Sequence, residues 1–206
     1  MFLEPKTVND LSYEEVVGKI VNLNNYVKEF WSSAQGWAPN SAANMLSNSR
    51  LDWLLSMSHS LYKWEEDPSD KSYNGDLILA WVNLGALTEG AMKLFLSVFY
   101  EDYLADANII KQRGQDIDPD GAMFNGLRNF FVKSIWNNDE THHYNTWLEL
   151  IQQRRNAIHA FKDREIESFF DFREQVKKYL EFLIYILEKL PIPDEIFGPD
   201  LSLGYK

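Results

Sequence analysis

The chain has 206 residues, no cysteine and a formal net charge of −11, and these features exclude several classes of protein. Without cysteine there are no disulfides, thiolate zinc sites or thiol nucleophiles. The excess of carboxylates argues against general coating of nucleic acid, which requires lysine and arginine to displace phosphate counterions. Aromatic residues make up 15% of the sequence, which predicts a well-filled core within one domain.

Hydrophobic residues recur every three to four positions in six segments, and no appreciable stretch alternates as a strand would. The predicted helices cover approximately residues 12–36, 40–65, 76–103, 123–136, 141–161 and 166–190. The first begins at a capping box formed by Ser12 and Glu15. The third is apolar nearly all round, as is typical of a central helix. The sequence therefore predicts an all-α, up-and-down bundle of about six helices.

A single helical domain is expected over residues 1–206. Its core would span about residues 75–190, residues 1–70 would form a helical hairpin packed on that core, and residues 191–206 would form a loosely packed tail. The N-terminal residues lack the basic and then apolar pattern of a signal peptide.

The most apolar stretch, residues 77–100, is interrupted by Asn83, Glu89 and Lys93. This pattern predicts a buried core helix rather than a membrane span. We therefore expect a cytoplasmic protein that has no membrane partner.

Metal chemistry has little support in the sequence. A carboxylate-bridged metal site in a bundle requires two Glu-x-x-His pairs on separate helices. The chain contains one such pair, Glu140 and His143, and it lies at a predicted helix start, where polar residues are common. We therefore predict no metal and no other cofactor.

Residues 150–164 form a basic segment in this acidic chain. The segment contains a single acidic residue, Asp163, and four basic residues, which are Arg154, Arg155, Lys162 and Arg164. Two guanidiniums, the Asn156 amide and the His159 imidazole lie within six residues. Histidine exchanges protons near neutral pH, and arginine presents a planar fork to phosphate oxygens. These groups suit phosphodiester chemistry, which needs no metal when a ribose 2′-hydroxyl attacks.

An ideal α-helix brings only some of these groups together. Arg155 and His159 are four residues apart and share one face. Arg154 and His159 are five apart and diverge by about 140°. Arg154 can therefore act with a histidine only if the helix is distorted or if the histidine comes from a second copy.

A structural interpretation of the same residues is also open. Arg154 or Arg155 could pair with a carboxylate such as Glu149, Glu89 or Asp163. His159 could simply end a helix, where the dipole favours a cation.

Glu89 and three aromatic residues also have two interpretations each. Glu89 lies in the apolar third helix, where it could orient Arg154 or His159, or could pair with Lys93 four residues on. Three aromatic side chains could stack on bases, although aromatics at helical spacing are typical of a core; they are Trp136, Trp147 and Phe161.

The segment Arg154-Arg-Asn-Ala-Ile-His159 resembles the Arg-x4–6-His signature of the HEPN superfamily (higher eukaryotes and prokaryotes nucleotide-binding domains). Residues 151–164 look like a bacterial branch of that family, and residues 84–93 look like the central helix of the branch. The resemblance spans about residues 75–190, and its most specific part is the short motif near the end of a late helix.

The resemblance implies a helical bundle that forms a homodimer and brings two motifs together in one cleft. Many members of the family are metal-independent endoribonucleases used in toxin–antitoxin or phage-defence systems. Carried over to this sequence, His159 would be the acid/base and Arg154 the phosphate ligand. Further contacts to RNA or nucleotide would come from Arg155, Asn156, Glu89 and Lys162.

The sequence departs from the family pattern at one position. The family usually has a polar residue, often asparagine, directly after the motif arginine. Here Arg155 follows Arg154, and Asn156 comes one residue later. Counted from Arg155 the asparagine is in place, but the spacing to His159 is one residue short.

Three hypotheses follow from these observations. The chain is a HEPN-type endoribonuclease, or it is a non-catalytic HEPN-like module that binds nucleotide, RNA or a protein partner such as an antitoxin. In the third, the motif is a coincidence in an unrelated helical bundle.

Overall fold

The computed structural model describes residues 4–192 and 198–205. These residues form eight α-helices and one short antiparallel hairpin, so the all-α prediction is confirmed. The helices are α1 (Tyr13–Trp31), α2 (Asn40–Asn48), α3 (Leu51–Ser60), α4 (Tyr73–Val98), α5 (Tyr100–Ala105), α6 (Phe124–Phe130), α7 (His143–Arg155) and α8 (Phe169–Glu188), and the strands are β1 (Lys111–Gln112) and β2 (Gln115–Asp116).

Helix α1 begins at the predicted capping box. The Ser12 hydroxyl accepts a hydrogen bond from the backbone N–H of Glu15, and the Glu15 carboxylate accepts one from the backbone N–H of Ser12 at 2.7 Å. Its apolar side packs on α3 and α8. Buried residues from the N-terminal and C-terminal helices join one hydrophobic cluster, so the N-terminal helices contribute to the main core.

Helix α4 lies at the centre of the bundle and packs on α2, α3, α7 and α8. Its length and composition would allow it to cross a membrane, and just over half of its most apolar stretch is buried against the rest of the protein. A core helix has the same length and composition, and the packing of α4 on four neighbours accounts for its apolar surface.

The predicted second helix is wrong in one respect, because residues 40–65 do not form one continuous helix. The chain breaks after α2, where Ser49 is extended, and starts again as α3. The side chains of Asn48 and Ser49 donate hydrogen bonds to the carbonyls of Asn44 and Met45 at 3.0 and 2.9 Å. Such side-chain bonds compete with helix continuation, and the expected hairpin becomes three segments.

The predicted third and fourth helices are also divided. The third, expected over residues 76–103, breaks at Phe99 into α4 and α5. The fourth continues from α6 into one π-helical turn, Phe131–Ile135. With the break between α2 and α3, these differences raise the six expected helices to eight in the described residues.

The C-terminal tail is more closely attached than we expected. Tyr205 forms a β-bridge with Pro5, the backbone N–H of Lys6 donates to the Gly204 carbonyl at 2.9 Å, and Lys19 pairs with Asp200 at 3.1 Å. Residues 198–205 therefore pack on the N-terminal segment. Residues 193–197 and 206 of the predicted tail lie outside the described residues.

The N-terminus of α7 rests on a stack of aromatic rings. His142 caps the helix, since its Nδ1 accepts a hydrogen bond from the backbone N–H of Tyr144 at 3.4 Å. The centre of its ring lies 4.2 Å from that of Trp136 and 4.7 Å from that of His143, and both pairs are stacked. Burial, His143 and Lys189 lower the pKa of His142, against the opposing effect of Asp139.

This arrangement predicts a pH-dependent stability. Because the pKa of His142 is lower in the folded protein than in the unfolded chain, unfolding takes up a proton as the pH falls below about 6.5. The stability that neutral His142 contributes to the fold is therefore complete above that pH and is lost progressively below it. We expect urea midpoints at pH 7.5 and 5.0 to differ less for His142→Asn than for the wild type, because asparagine caps helices without titrating. An equal difference in both proteins would contradict this expectation.

Candidate functional site

The motif segment changes its helical winding in the middle. Helix α7 ends at Arg155, and residues Asn156–His159 form a 3-10 turn. On an ideal α-helix Arg155 and His159 would lie about 40° apart. One step of about 100° followed by three steps of about 120° leaves them roughly 100° apart instead. The helix is therefore distorted within the motif, which was one of the two possibilities for pairing Arg154 with a histidine. This distortion does not bring His159 to Arg154, and it turns His159 away from the face that carries Arg155.

Arg154 holds the loop that follows the motif. One terminal nitrogen donates to the backbone carbonyl of Glu165 and the other pairs with the Glu167 carboxylate at 2.7 Å. The side chain is 11% exposed. Ala160 and Glu167 at the two ends of this loop have positive φ values of 48° and 60°, which is costly for residues other than glycine. Arg154 therefore stabilises a strained loop.

We expect Arg154→Ala to open this loop and to lower the free energy of unfolding by about 1–3 kcal/mol, since charged hydrogen bonds contribute amounts of this order. The measurement is limited trypsin digestion, in which cleavage after Lys162 or Arg164 should become faster. Arg155→Ala is the control, because Arg155 contacts a different part of the protein. Equal digestion of Arg154→Ala and wild type would show that the loop does not depend on Arg154.

Arg155 lies across α4 and points to Glu89. Its Nη1 donates to the Glu89 carboxylate, and its guanidinium lies 5.3 Å from the centre of the Phe124 ring. Its aliphatic stem packs against Gly85, where an added Cβ would come within 2.8 Å of the Arg155 side chain. Because Gly85 has no side chain, the Arg155 side chain can lie directly against the surface of α4.

Glu89 lies between two cations. It pairs with Lys93 at 2.9 Å and with Arg155 through its other oxygen. Burial raises the pKa of Glu89, but the hydrogen bonds and charges of Lys93 and Arg155 outweigh this effect and hold it below its ordinary value. The i,i+4 pair with Lys93 and the pair with Arg155 are both present. Neither Arg154 nor His159 is hydrogen-bonded to Glu89.

Glu89, Lys93 and Arg155 line a cleft of about 420 Å³ that lies between α4 and the junction of α2 and α3. Lys93 also donates to the backbone carbonyl of Asp120, another residue that lines the cleft, at 2.9 Å. His159 does not line the cleft. Within one copy of the chain, the cleft therefore contains one motif arginine and lacks the histidine.

His159 is exposed at the end of the 3-10 turn. Among residues 4–192 and 198–205, no hydrogen bond, ion pair or ring contact involves its imidazole. Its neighbours Ile158 and Ala160 line a second, shallower groove together with Leu79 of α4. Ile158 is 48% exposed, Leu79 51%, and Phe161 is fully exposed. We call these three apolar side chains the motif face.

The remaining candidates divide between surface and core. Lys162 is exposed and forms no ion pair within the described chain, and Asn156 is half-buried at the end of α7. Trp136 and Trp147 are buried, so their core interpretation is confirmed, whereas Phe161 is free to contact a ligand. No group of three or more metal-ligating side chains occurs in the described residues.

Sequence reasoning missed Gly85 and Phe124, the two residues that position Arg155. A signal for the first was present, because Gly85 lies inside a long apolar helix, where glycine costs about 1 kcal/mol relative to alanine. Such a glycine indicates that another group approaches the helix closely.

Comparison of the chain with protein-family models, with curated proteins and with solved structures finds no match. The resemblance to the HEPN superfamily therefore depends on the sequence of the motif and of helix α4.

Proposed function

We propose that this chain is a HEPN-type endoribonuclease that works as a homodimer without a metal ion. His159 takes the proton from a ribose 2′-hydroxyl, whose oxygen attacks the adjacent phosphorus, and the bond to the 5′-oxygen breaks. The proton returned to that oxygen also passes through the imidazole. The products are a 2′,3′-cyclic phosphate and a 5′-hydroxyl end.

One observation carries the proposal: the His159 imidazole stands in solvent beside the motif face. An acid/base group must be free to reach its substrate, and His159 has no partner among the described residues that would hold it back. Ile158 and Phe161 flank it in the chain and are exposed, and Leu79 lines one groove with Ile158. Exposed apolar side chains of this kind suit contact with a second copy of the chain. Such a dimer would bring two motifs together, as the family resemblance implies.

The phosphate contact is better assigned to Arg155 than to Arg154. Both terminal nitrogens of Arg154 are occupied, and its side chain is 11% exposed. Arg155 is 30% exposed, faces an open cleft and uses one of its five donors for Glu89. Since Arg155 and His159 point in different directions within one copy, we propose that the arginine of one subunit acts with the histidine of its partner.

The test is incubation of purified protein with total RNA in EDTA. We expect fragments that carry a 2′,3′-cyclic phosphate and a 5′-hydroxyl. Cleavage that requires an added divalent metal, or that leaves 3′-hydroxyl ends, would overturn the mechanism. In the proposed setting, a cytoplasmic toxin–antitoxin or phage-defence system, a partner covering the motif face would hold the enzyme inactive.

A second function, a non-catalytic module that binds RNA or nucleotide, is favoured by a different observation. Both motif arginines hold carboxylates, and His159 lies outside the cleft. This function predicts RNA binding that is weakened by Arg155→Gln, without cleavage under any metal condition.

A further inference from the structure

The cleft next to Arg155 is lined by both charged and apolar residues. The charged ones include Glu89, Lys93 and Arg155, and Asp120 also lines the cleft. The apolar ones include leucines of α2, α3 and α4, which are Leu46, Leu51, Leu54 and Leu94. Its volume of about 420 Å³ lies within the range of small-molecule sites, roughly 300–1,000 Å³.

The cleft is less acidic than the protein as a whole. Its lining includes the basic residues Arg50, Lys93 and Arg155 and the acidic residues Glu89 and Asp120. With Asp52, the partner of Arg50, these charges balance, while the whole chain carries a net charge of −11. Arg50 at the rim lies 3.9 Å above the exposed Trp53 ring and is paired with Asp52. Lys93 and Arg155 deeper in the cleft share a single carboxylate, so an added anion would meet two cations there.

We propose that this cleft binds a small organic anion: one phosphate or carboxylate group attached to an apolar body. The anionic group contacts Lys93 and Arg155 and competes with Glu89 for their donors. The apolar body lies along the leucines. This ligand site goes beyond the proposed function. It shares Arg155 with the proposed ribonuclease site but does not include His159, so ligand binding does not require ribonuclease activity.

The glycines of α4 shape both parts of the site. Gly85 lets the Arg155 side chain lie flat on the helix, and Gly90 lets Leu54 of α3 approach α4 closely. A side chain at either position would displace the residue that lines the cleft. Ala86, which also lines the cleft, is half-buried and leaves space that a larger side chain would fill.

The test is isothermal titration calorimetry of the full chain with three probes: phenyl phosphate, inorganic phosphate and adenosine monophosphate. We expect phenyl phosphate to bind at least ten-fold more tightly than inorganic phosphate. A ten-fold gain requires burial of only about 55 Å² of apolar surface. Equal affinity for these two probes would refute the apolar part of the site. Tighter binding of adenosine monophosphate than of phenyl phosphate would replace the proposal by a nucleotide site.

Variants locate the ligand in the cleft. Arg155→Gln should weaken phenyl phosphate binding by roughly ten-fold or more, and Glu89→Gln should strengthen it, because the competing carboxylate is removed. Ala86→Leu should weaken binding, because the larger side chain occupies part of the cleft without changing its charge. Arg113→Gln, which removes an exposed arginine in the hairpin, should leave the affinity unchanged.

Two further results would overturn the proposal. One is the absence of phenyl phosphate binding to folded wild type, and the other is the same affinity in wild type and Ala86→Leu. Failure of the proposed ribonuclease function can be distinguished from failure of this ligand site. His159→Ala should bind phenyl phosphate as the wild type does, even if neither protein cleaves RNA.

Discussion

Replacement of His159 by alanine is expected to lower the rate of RNA cleavage by roughly 100- to 10,000-fold, the usual contribution of general acid–base catalysis. The imidazole carries the proton in both directions during the proposed step, and alanine cannot replace it. The measurement compares initial cleavage rates of wild type and variant on one RNA in EDTA.

The fold should survive this change, which separates a chemical effect from a structural one. His159 is exposed, and its side chain contacts no polar group among the described residues. Substitutions at such positions change the free energy of unfolding by less than about 0.5 kcal/mol. His59→Ala is the matched control, because it removes another exposed histidine, on α3. An unchanged cleavage rate in His159→Ala would contradict the proposed role of this residue.

The helical class and the main core could be predicted from the sequence because their signals are local. The capping box at Ser12 and Glu15 and the three-to-four residue period of α1 and α8 each depend on residues within a few turns. The Glu89–Lys93 pair is of the same kind, since residues four apart on a helix are neighbours. Each of these features is present in the structure.

The partners of the two motif arginines could not be predicted, because they are set by contacts between residues distant in the chain. Arg154 is bound to the loop at Glu165 and Glu167, and Arg155 is bound to Glu89 on α4. Neighbouring residues on a helix point in different directions, so each arginine has its own partner. From the sequence, Glu149 and Asp163 were equally plausible partners for these arginines, but Glu149 pairs with Arg128 in the structure.

Arg155 lies in a cleft and His159 on a separate exposed turn, and this separation leads to the most demanding test of the proposed dimer. Arg155→Ala and His159→Ala should each be nearly inactive when assayed alone. In a mixture of the two, half of the dimers contain one subunit of each kind. Each mixed dimer has one site with an intact Arg155 and an intact partner His159, and one site that lacks both.

A one-to-one mixture of these variants should therefore recover about a quarter of the wild-type activity, since half of the dimers each have one working site of two. If both groups act within one subunit, every site lacks one of them and the mixture stays inactive. A parallel mixture of Arg154→Ala with His159→Ala tests the other arginine. Because Arg154 stabilises the loop rather than facing the cleft, Arg154→Ala alone should keep part of its activity, which distinguishes a loop clamp from a phosphate ligand.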